Sequence, residues 1–214
     1  MPLTVNEIFH SIQGESLHAG RPCTFIRLTG CNLRCSYCDT RYAFSEGRPM
    51  ELAAILTRVR DLGCRLVELT GGEPLLQEEA PELVTRLLDG GHELLLETNG
   101  SLPIGDIDPR CVRIVDVKCP GSGESDQMHW DNLAHLTARD QLKFVIQDRV
   151  DYEYAVAVAR RKPNILPWDH LLFSPVRDRL PLRELARWML ADGVTARLHL
   201  QLHPIIWPDV ERGV

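Results

Sequence analysis

Short apolar runs alternate along this chain with longer segments whose apolar positions recur at helical spacing. Residues 24–29 (TFIRLT) read as a strand that leads straight into a loop rich in cysteine. Residues 50–62 carry the helical pattern, and Gly63 ends it. Residues 65–70 form the next strand, which stops at Gly71-Gly72-Glu73-Pro74, and a helix over 80–88 closes at Gly90-Gly91. Strand-like runs then recur at 93–98, 112–118, 141–147, 171–174 and 197–202, with helices fitting 150–161 and 182–191. The glycine-containing polar stretch 121–131 reads as a loop.

Strands alternating with helices predict an α/β chain with a parallel sheet of βα units. A closed eight-fold barrel takes about 250 residues. With 214 residues and an N-terminal piece outside the pattern, an open, partial barrel fits better. No repeat, low-complexity segment or linker divides the chain, so a single domain over 1–214 is expected. Several strands end in small polar or charged residues: Thr29-Gly30, Thr70 to Glu73, Glu97 to Gly100, Asp116 to Lys118, Lys143 and Ser174. Ligands of parallel α/β folds bind at the carboxyl ends of the strands, so these residues are expected to share one mouth. Each alone is also an ordinary turn residue.

Composition narrows the class. A hydrophobic fraction of 44% supports one sizeable core, and a formal charge of −6 lacks the basic footprint of a nucleic-acid binder. Neither a signal peptide nor a membrane span is legible, so a cytoplasmic, soluble chain is expected. Seven cysteines without an export signal suit a reducing compartment, where thiols hold metals or stay free.

Three of those cysteines, Cys31, Cys35 and Cys38, stand in one eight-residue run. Iron–sulfur clusters normally take four cysteines. Three leave one iron open to a ligand that must bind and react, which points to an enzyme. A zinc site closed by His18 or by one of Cys23, Cys64, Cys111 and Cys119 is the competing reading. Gly71-Gly72 allows close backbone approach or positive φ, and Glu73 or a carbonyl there could accept from an ammonium group; a plain turn explains the tetrad as well. Asp39-Thr40 offers oxygen ligands for Mg²⁺, or a helix cap. Ile12-Gln13-Gly14-Glu15-Ser16 could read the edge of a heterocycle, since the Gln amide both donates and accepts. Arg27 could grip a carboxylate or serve in a salt bridge. His10, His92 and His199 lie in or near apolar runs and read as structural.

Together these motifs resemble the radical S-adenosylmethionine superfamily. Cys-x3-Cys-x2-Cys at 31, 35 and 38, Tyr37 before the last cysteine, and Gly71 to Pro74 match its signatures over roughly residues 25–174. Within it the chain resembles the 7-carboxy-7-deazaguanine synthases of queuosine and 7-deazapurine biosynthesis. That narrower likeness rests on residues 9–16 (FHSIQGES), Cys38-Asp39-Thr40, Glu97-Thr98-Asn99-Gly100, Gln201-Leu202-His203 and the ending at 206–214. Pro204 departs from the basic residue expected after His203.

The resemblance implies a (β6/α3) partial TIM-like barrel with an N-terminal extension and a modified C-terminal part, forming a homodimer. It implies a [4Fe–4S] cluster on Cys31, Cys35 and Cys38, S-adenosylmethionine held by Ser36, Tyr37, Asp39, Gly72, Glu73, Asp116 and Lys118, and Mg²⁺ on Thr40. The pterin substrate would meet Ile12, Gln13, Gly14, Arg27, Thr70 and Val214. An external donor of the flavodoxin or ferredoxin type would reduce the cluster. Cleavage of S-adenosylmethionine would give a 5′-deoxyadenosyl radical that takes hydrogen from C6 of 6-carboxy-5,6,7,8-tetrahydropterin. Ring contraction and loss of ammonia would yield 7-carboxy-7-deazaguanine, with the hydrogen returned to the cofactor. Because the radical comes from the cofactor, no side chain is expected to be catalytic. Two alternatives share some of these features: an activase that makes a radical on a protein partner, and a metal-binding module without catalysis.

Overall fold

The computed structural model describes residues 1–214. Nine strands form a single sheet: β1 (Leu3–Ile12), β2 (Pro22–Leu28), β3 (Arg48–Met50), β4 (Leu66–Gly71), β5 (Glu93–Thr98), β6 (Val112–Val117), β7 (Gln141–Ile146), β8 (Leu171–Pro175) and β9 (Arg197–Leu198). Their spatial order is β3-β1-β2-β4-β5-β6-β7-β8-β9. From β2 to β9 every neighbouring pair is parallel, and β1 and β3 add antiparallel to the β2 edge. The sheet is therefore open, as the pattern predicts.

The helices are α1 (Leu52–Leu62), α2 (Ala80–Asp89), α3 (Asn132–His135), α4 (Arg149–Ala159), α5 (Leu182–Ala191) and α6 (His203–Ile206). Three long crossovers, α1, α2 and α4, serve the six strands β2 and β4 to β8, which is the (β6/α3) arrangement. Gly63 ends α1 with φ 69°, a left-handed conformation that glycine adopts without penalty. Helix α2 buries Ala80, Leu83, Val84 and Leu87, an i, i+3, i+4, i+7 stripe. Each fully buried leucine or valine contributes about 1.5–3 kcal/mol relative to exposure.

Alternation along the strands makes two cores. Val67 and Leu69 belong to the main cluster of 37 buried residues, whose helical members include Ile55, Leu83 and Leu87. Their neighbours on the opposite face begin with a small apolar cluster, Cys23, Phe25, Leu66, Leu95 and Ile114. Two residues further along the same strands stand polar side chains, Arg27 after Phe25 and Glu97 after Leu95. The concave face thus has an apolar floor and a polar upper layer.

Two elements differ from the sequence expectation. The N-terminal piece is a full ten-residue strand, β1. A register shift between Val5 and Glu7 breaks its two-residue alternation, so its period is hidden in the sequence. The last strand is only two residues long rather than six. Beyond it the chain leaves the sheet to cross the mouth, where Leu202 N–H donates to the Gly14 carbonyl at 3.0 Å. Pro204 stands in the first turn of α6, where a missing N–H costs nothing. No helix is long and apolar enough to cross a membrane.

Candidate active site at the mouth of the open barrel

A cavity of about 930 Å³ opens at the carboxyl ends of the strands, lined by the cysteine loop and by the C-terminal segment. It is lined by Cys31, Cys35 and Cys38, all free and half-buried. Backbone contacts hold their loop: Gly30 N–H donates to Ala43 at 2.8 Å, Glu73 N–H to Gly30 at 2.7 Å, and Ser36 N–H to Ser122 at 2.9 Å. Arg34 donates to the carbonyls of Cys31 and Leu33, and Arg179 to the Ser36 hydroxyl. Burial raises the Cys35 thiol to about 11, with Lys118 opposing; binding to a metal reverses that balance.

Gly71 and Gly72 are needed for close approach, and neither has positive φ. A Cβ on Gly72 would lie well under 3 Å from the Gly30 carbonyl and the Cys31 side chain, and one on Gly71 would strike the Leu28 backbone. The pair lets the β4 end lie directly against the cysteine loop.

Glu73 is fully buried and its side chain does not line the cavity, so of the two acceptors expected in this turn the backbone carbonyls are the ones that remain for an ammonium group. Its carboxylate accepts from Leu75 N–H at 2.9 Å, Asn99 N–H at 2.6 Å, and the Thr98 hydroxyl at 2.9 Å to either oxygen. These contacts tie the β5 end to the turn. Burial lifts its pKa to about 7 against the hydrogen bonds that lower it.

Ser36, Tyr37, Asp39, Gly72, Asp116 and Lys118 all line the cavity beside the cysteines. Tyr37 donates to the Val145 carbonyl at 3.4 Å, and Lys118 pairs with Asp116 at 2.7 Å. Asp116 Oδ1 is buried with no partner. Burial works against the Lys118 charge, yet Asp116 with Cys35 and Tyr37 nearby holds its pKa above the usual lysine value. Thr40 begins a short 3₁₀ turn, Arg41–Phe44, but makes no side-chain cap; its hydroxyl donates to Asp39 at 2.8 Å. Capping is therefore not its role here.

The same cavity is lined by Ile12, Gln13, Gly14, Arg27, Thr70 and Val214. Arg27 fulfils the salt-bridge reading through Nε to Glu7 at 2.8 Å, and its two terminal nitrogens keep no protein partner. Gln13 is buried, and its amide is engaged: Oε1 accepts from Glu15 N–H at 2.9 Å and Nε2 donates to Glu68. The edge-reading expected of the Gln13 side chain is thus largely spent inside the protein. At Gly14 a Cβ would sit 3.2 Å from His203 N, so the bare backbone also lets the C-terminal segment close. Arg212 pairs with Glu46 at 2.6 Å and stacks 4.1 Å from the Tyr42 ring centroid, which fixes the approach of Val214.

Glu97 and Lys143 reach the mouth as their strand ends predict, and Glu15 lies there with its segment, whereas Gln201 and His203 carried no assigned role and Glu68 was not singled out at all. Lys143 bridges Glu15 and Glu97, the latter at 2.8 Å, and Glu15 also accepts from Gln201 at 2.9 Å. Burial raises the Glu15 pKa, but Lys143 and His199 overcome it and leave it at about 2. Burial lowers His199 to about 4. For Glu68, Glu97 and Lys143 the signal is a charge at one parity of an otherwise apolar strand.

The donor set suits a cluster with an open iron and a bound cofactor. The three thiols do not close on one point as ligands of a single ion would, and no fourth His, Cys, Asp or Glu joins them. His18 instead contacts Arg21 at 2.7 Å, and Cys23 and Cys111 are buried elsewhere. Asp116, one of whose oxygens is buried without a partner, and the bare Gly72 both line this cavity.

Comparison with known proteins identifies the class first. Residues 25–111 match the model of the Radical SAM superfamily, and this segment carries the cysteine loop and the Gly-Gly-Glu-Pro turn. A 7-carboxy-7-deazaguanine synthase of Koribacter versatilis is 42% identical over 99% of this chain and 100% of its own length. One from Chlorobaculum tepidum is 42% identical over 100% of this chain and 98% of its own. The crystal structure of QueE from Escherichia coli shares the fold, with a TM-score of 0.77 and 21% identity over 92% of this chain and 93% of that one. The chain belongs to the 7-carboxy-7-deazaguanine synthase family of radical SAM enzymes.

Proposed function

We infer that this chain converts 6-carboxy-5,6,7,8-tetrahydropterin to 7-carboxy-7-deazaguanine with loss of ammonia. The observation that carries this reading is one cavity lined both by the three-thiol loop and by a polar set that includes Gln13, Arg27, Thr70 and Glu97. Full-length likeness to the named synthases supports it, and the activase and metal-module alternatives are not favoured.

Cys31, Cys35 and Cys38 would hold the [4Fe–4S] cluster, and Ser36, Tyr37, Asp39, Gly72, Asp116 and Lys118 would hold S-adenosylmethionine. When bound, these groups supply reversible hydrogen-atom abstraction at a substrate carbon. The chain's own residues bind, orient and exclude water. Thr70 and the free terminal nitrogens of Arg27 face the cavity, where they can hold the ring and its carboxylate. Val214 lines the same cavity. Glu97 keeps one oxygen on Lys143 and leaves the other for a donor on the heterocycle. Thr40 with Asp39 offers oxygen ligands to Mg²⁺ at the lip, where the substrate carboxylate would meet it. A homodimer and an external one-electron donor complete the proposal. Exposed apolar side chains at Leu182, Leu200 and Ile205 supply a surface for the second copy, which sedimentation would detect.

The test is anaerobic reconstitution with iron and sulfide. Incubation with dithionite, S-adenosylmethionine, Mg²⁺ and the pterin follows, with products read by mass spectrometry. Formation of 7-carboxy-7-deazaguanine, abolished by Cys35→Ala, is expected. Cleavage of S-adenosylmethionine with the pterin left intact would overturn the substrate assignment.

A further inference from the structure

The cavity floor holds a carboxyl group that none of these roles uses. Glu68 comes from the middle of β4, is 4% exposed, and has Phe25 and Leu95 as its ladder neighbours. One of its oxygens accepts from Gln13 Nε2; the other has no protein partner, and the residue lines the cavity. The direction of the Gln13 contact is fixed, because the Gln13 oxygen is already taken by Glu15 N–H. The Glu68 oxygen facing Gln13 is therefore an acceptor, and a proton on Glu68 must sit on the other oxygen, toward the cavity.

Charge balance says that the proton is there. The groups facing Glu68 are Cys23 and Arg27 from β2, Glu15 from the loop after β1, Glu97 from β5 and Lys143 from β7. The Arg27 charge is already balanced by Glu7, its terminal nitrogens being left for the substrate, and the single Lys143 ammonium is shared by Glu15 and Glu97. A third carboxylate at this depth would have no cation.

We propose that Glu68 stands in the cavity as a neutral carboxylic acid. Its free O–H, donated to a carbonyl or ring-nitrogen acceptor of the bicyclic substrate, makes it a specificity-determining residue. This rests on the pterin reading above. Burial, reinforced by Glu97 and Glu15, raises Glu68 to about 8 in spite of the Gln13 hydrogen bond, so the acid form persists at neutral pH. A glutamine keeps a donor at this position and cannot ionise; a leucine keeps bulk and loses the donor.

The experiment is fluorescence titration of the reconstituted protein with pterin-6-carboxylate from pH 6.5 to 9.5. It compares wild type, Glu68→Gln and Glu68→Leu, with circular dichroism and S-adenosylmethionine binding as controls for folding. At pH 7, Glu68→Gln should bind within about threefold of wild type, and Glu68→Leu about tenfold more weakly, the cost of one lost buried hydrogen bond. Above pH 8 the wild type should weaken relative to Glu68→Gln, a ratio in which the probe's own ionisation cancels. A ratio constant across the range, or wild-type affinity in Glu68→Leu, would overturn the proposal. Failure of the wild type to bind the probe at any pH would instead overturn the pterin reading beneath it.

Discussion

Gly72 has no side chain because the cysteine loop occupies the space where one would be. The first prediction follows from that contact. Gly72→Ala should push the Gly30–Cys31 backbone away and lower iron and sulfide uptake several-fold. The far-UV spectrum should be unchanged, since the barrel core is not touched. Glu15 gives a prediction in pH. Its folded pKa of about 2 lies below the ordinary 4.5, so its stabilisation is present above pH 4.5 and lost as pH falls toward 2. Urea denaturation should find Glu15→Gln weaker than wild type by about 2 kcal/mol at pH 7, and nearly equal to it near pH 2. At this scale the sequence is legible only in part. The thiols, Tyr37, Asp39 and Arg27 line the cavity as expected, because chemistry of that kind shows in residue type and spacing. Whether Glu73 or Glu68 faces the ligand depends on strand parity and on which N–H groups fold back, and spacing does not encode those.

The elements explain how single strands can carry so many charges. Asp140 is the clearest case, fully buried ahead of β7. It accepts from Arg113 N–H at 2.8 Å, from the Arg113 guanidinium at 2.6 Å, and from Thr137 N–H at 2.7 Å. It thereby fastens β6 to the turn that starts β7. Asp140→Ala leaves a buried guanidinium uncompensated and should cost about 3–5 kcal/mol in chemical denaturation. Strands β4 to β8 and helices α1, α2, α4 and α5 were legible because their apolar periods are unbroken. The first strand was not, since its bulge and its polar Asn6, Glu7 and His10 hide the period. The short α3 and α6 are set by tertiary contacts, with Asn132 donating to the carbonyls of Gly100 and Leu102.

On the scale of the whole molecule, both ends of the chain are brought to the cavity, while the middle supplies its wall. The segment after β1 provides Gln13 and Glu15, and the tail provides Gln201, His203 and Val214. The sequence likeness indicated that the C-terminus belongs to the site, but only the fold shows how it is held: Arg212 lies between Glu46 and Tyr42. Removing residues 213–214, which line the cavity, should raise the pterin KM about tenfold, the cost of about one lost hydrogen bond, while leaving cluster content and the melting temperature near wild type. The central claim is that the thiol loop and the polar set serve one reaction in one cavity. The most direct measurement uses 6-carboxytetrahydropterin deuterated at C6, turned over anaerobically by the reconstituted protein. Deuterium recovered in S-adenosylmethionine, alongside 7-carboxy-7-deazaguanine, is the predicted result. Product formed with no label in the cofactor, or cofactor cleaved with the label still on intact pterin, would contradict it.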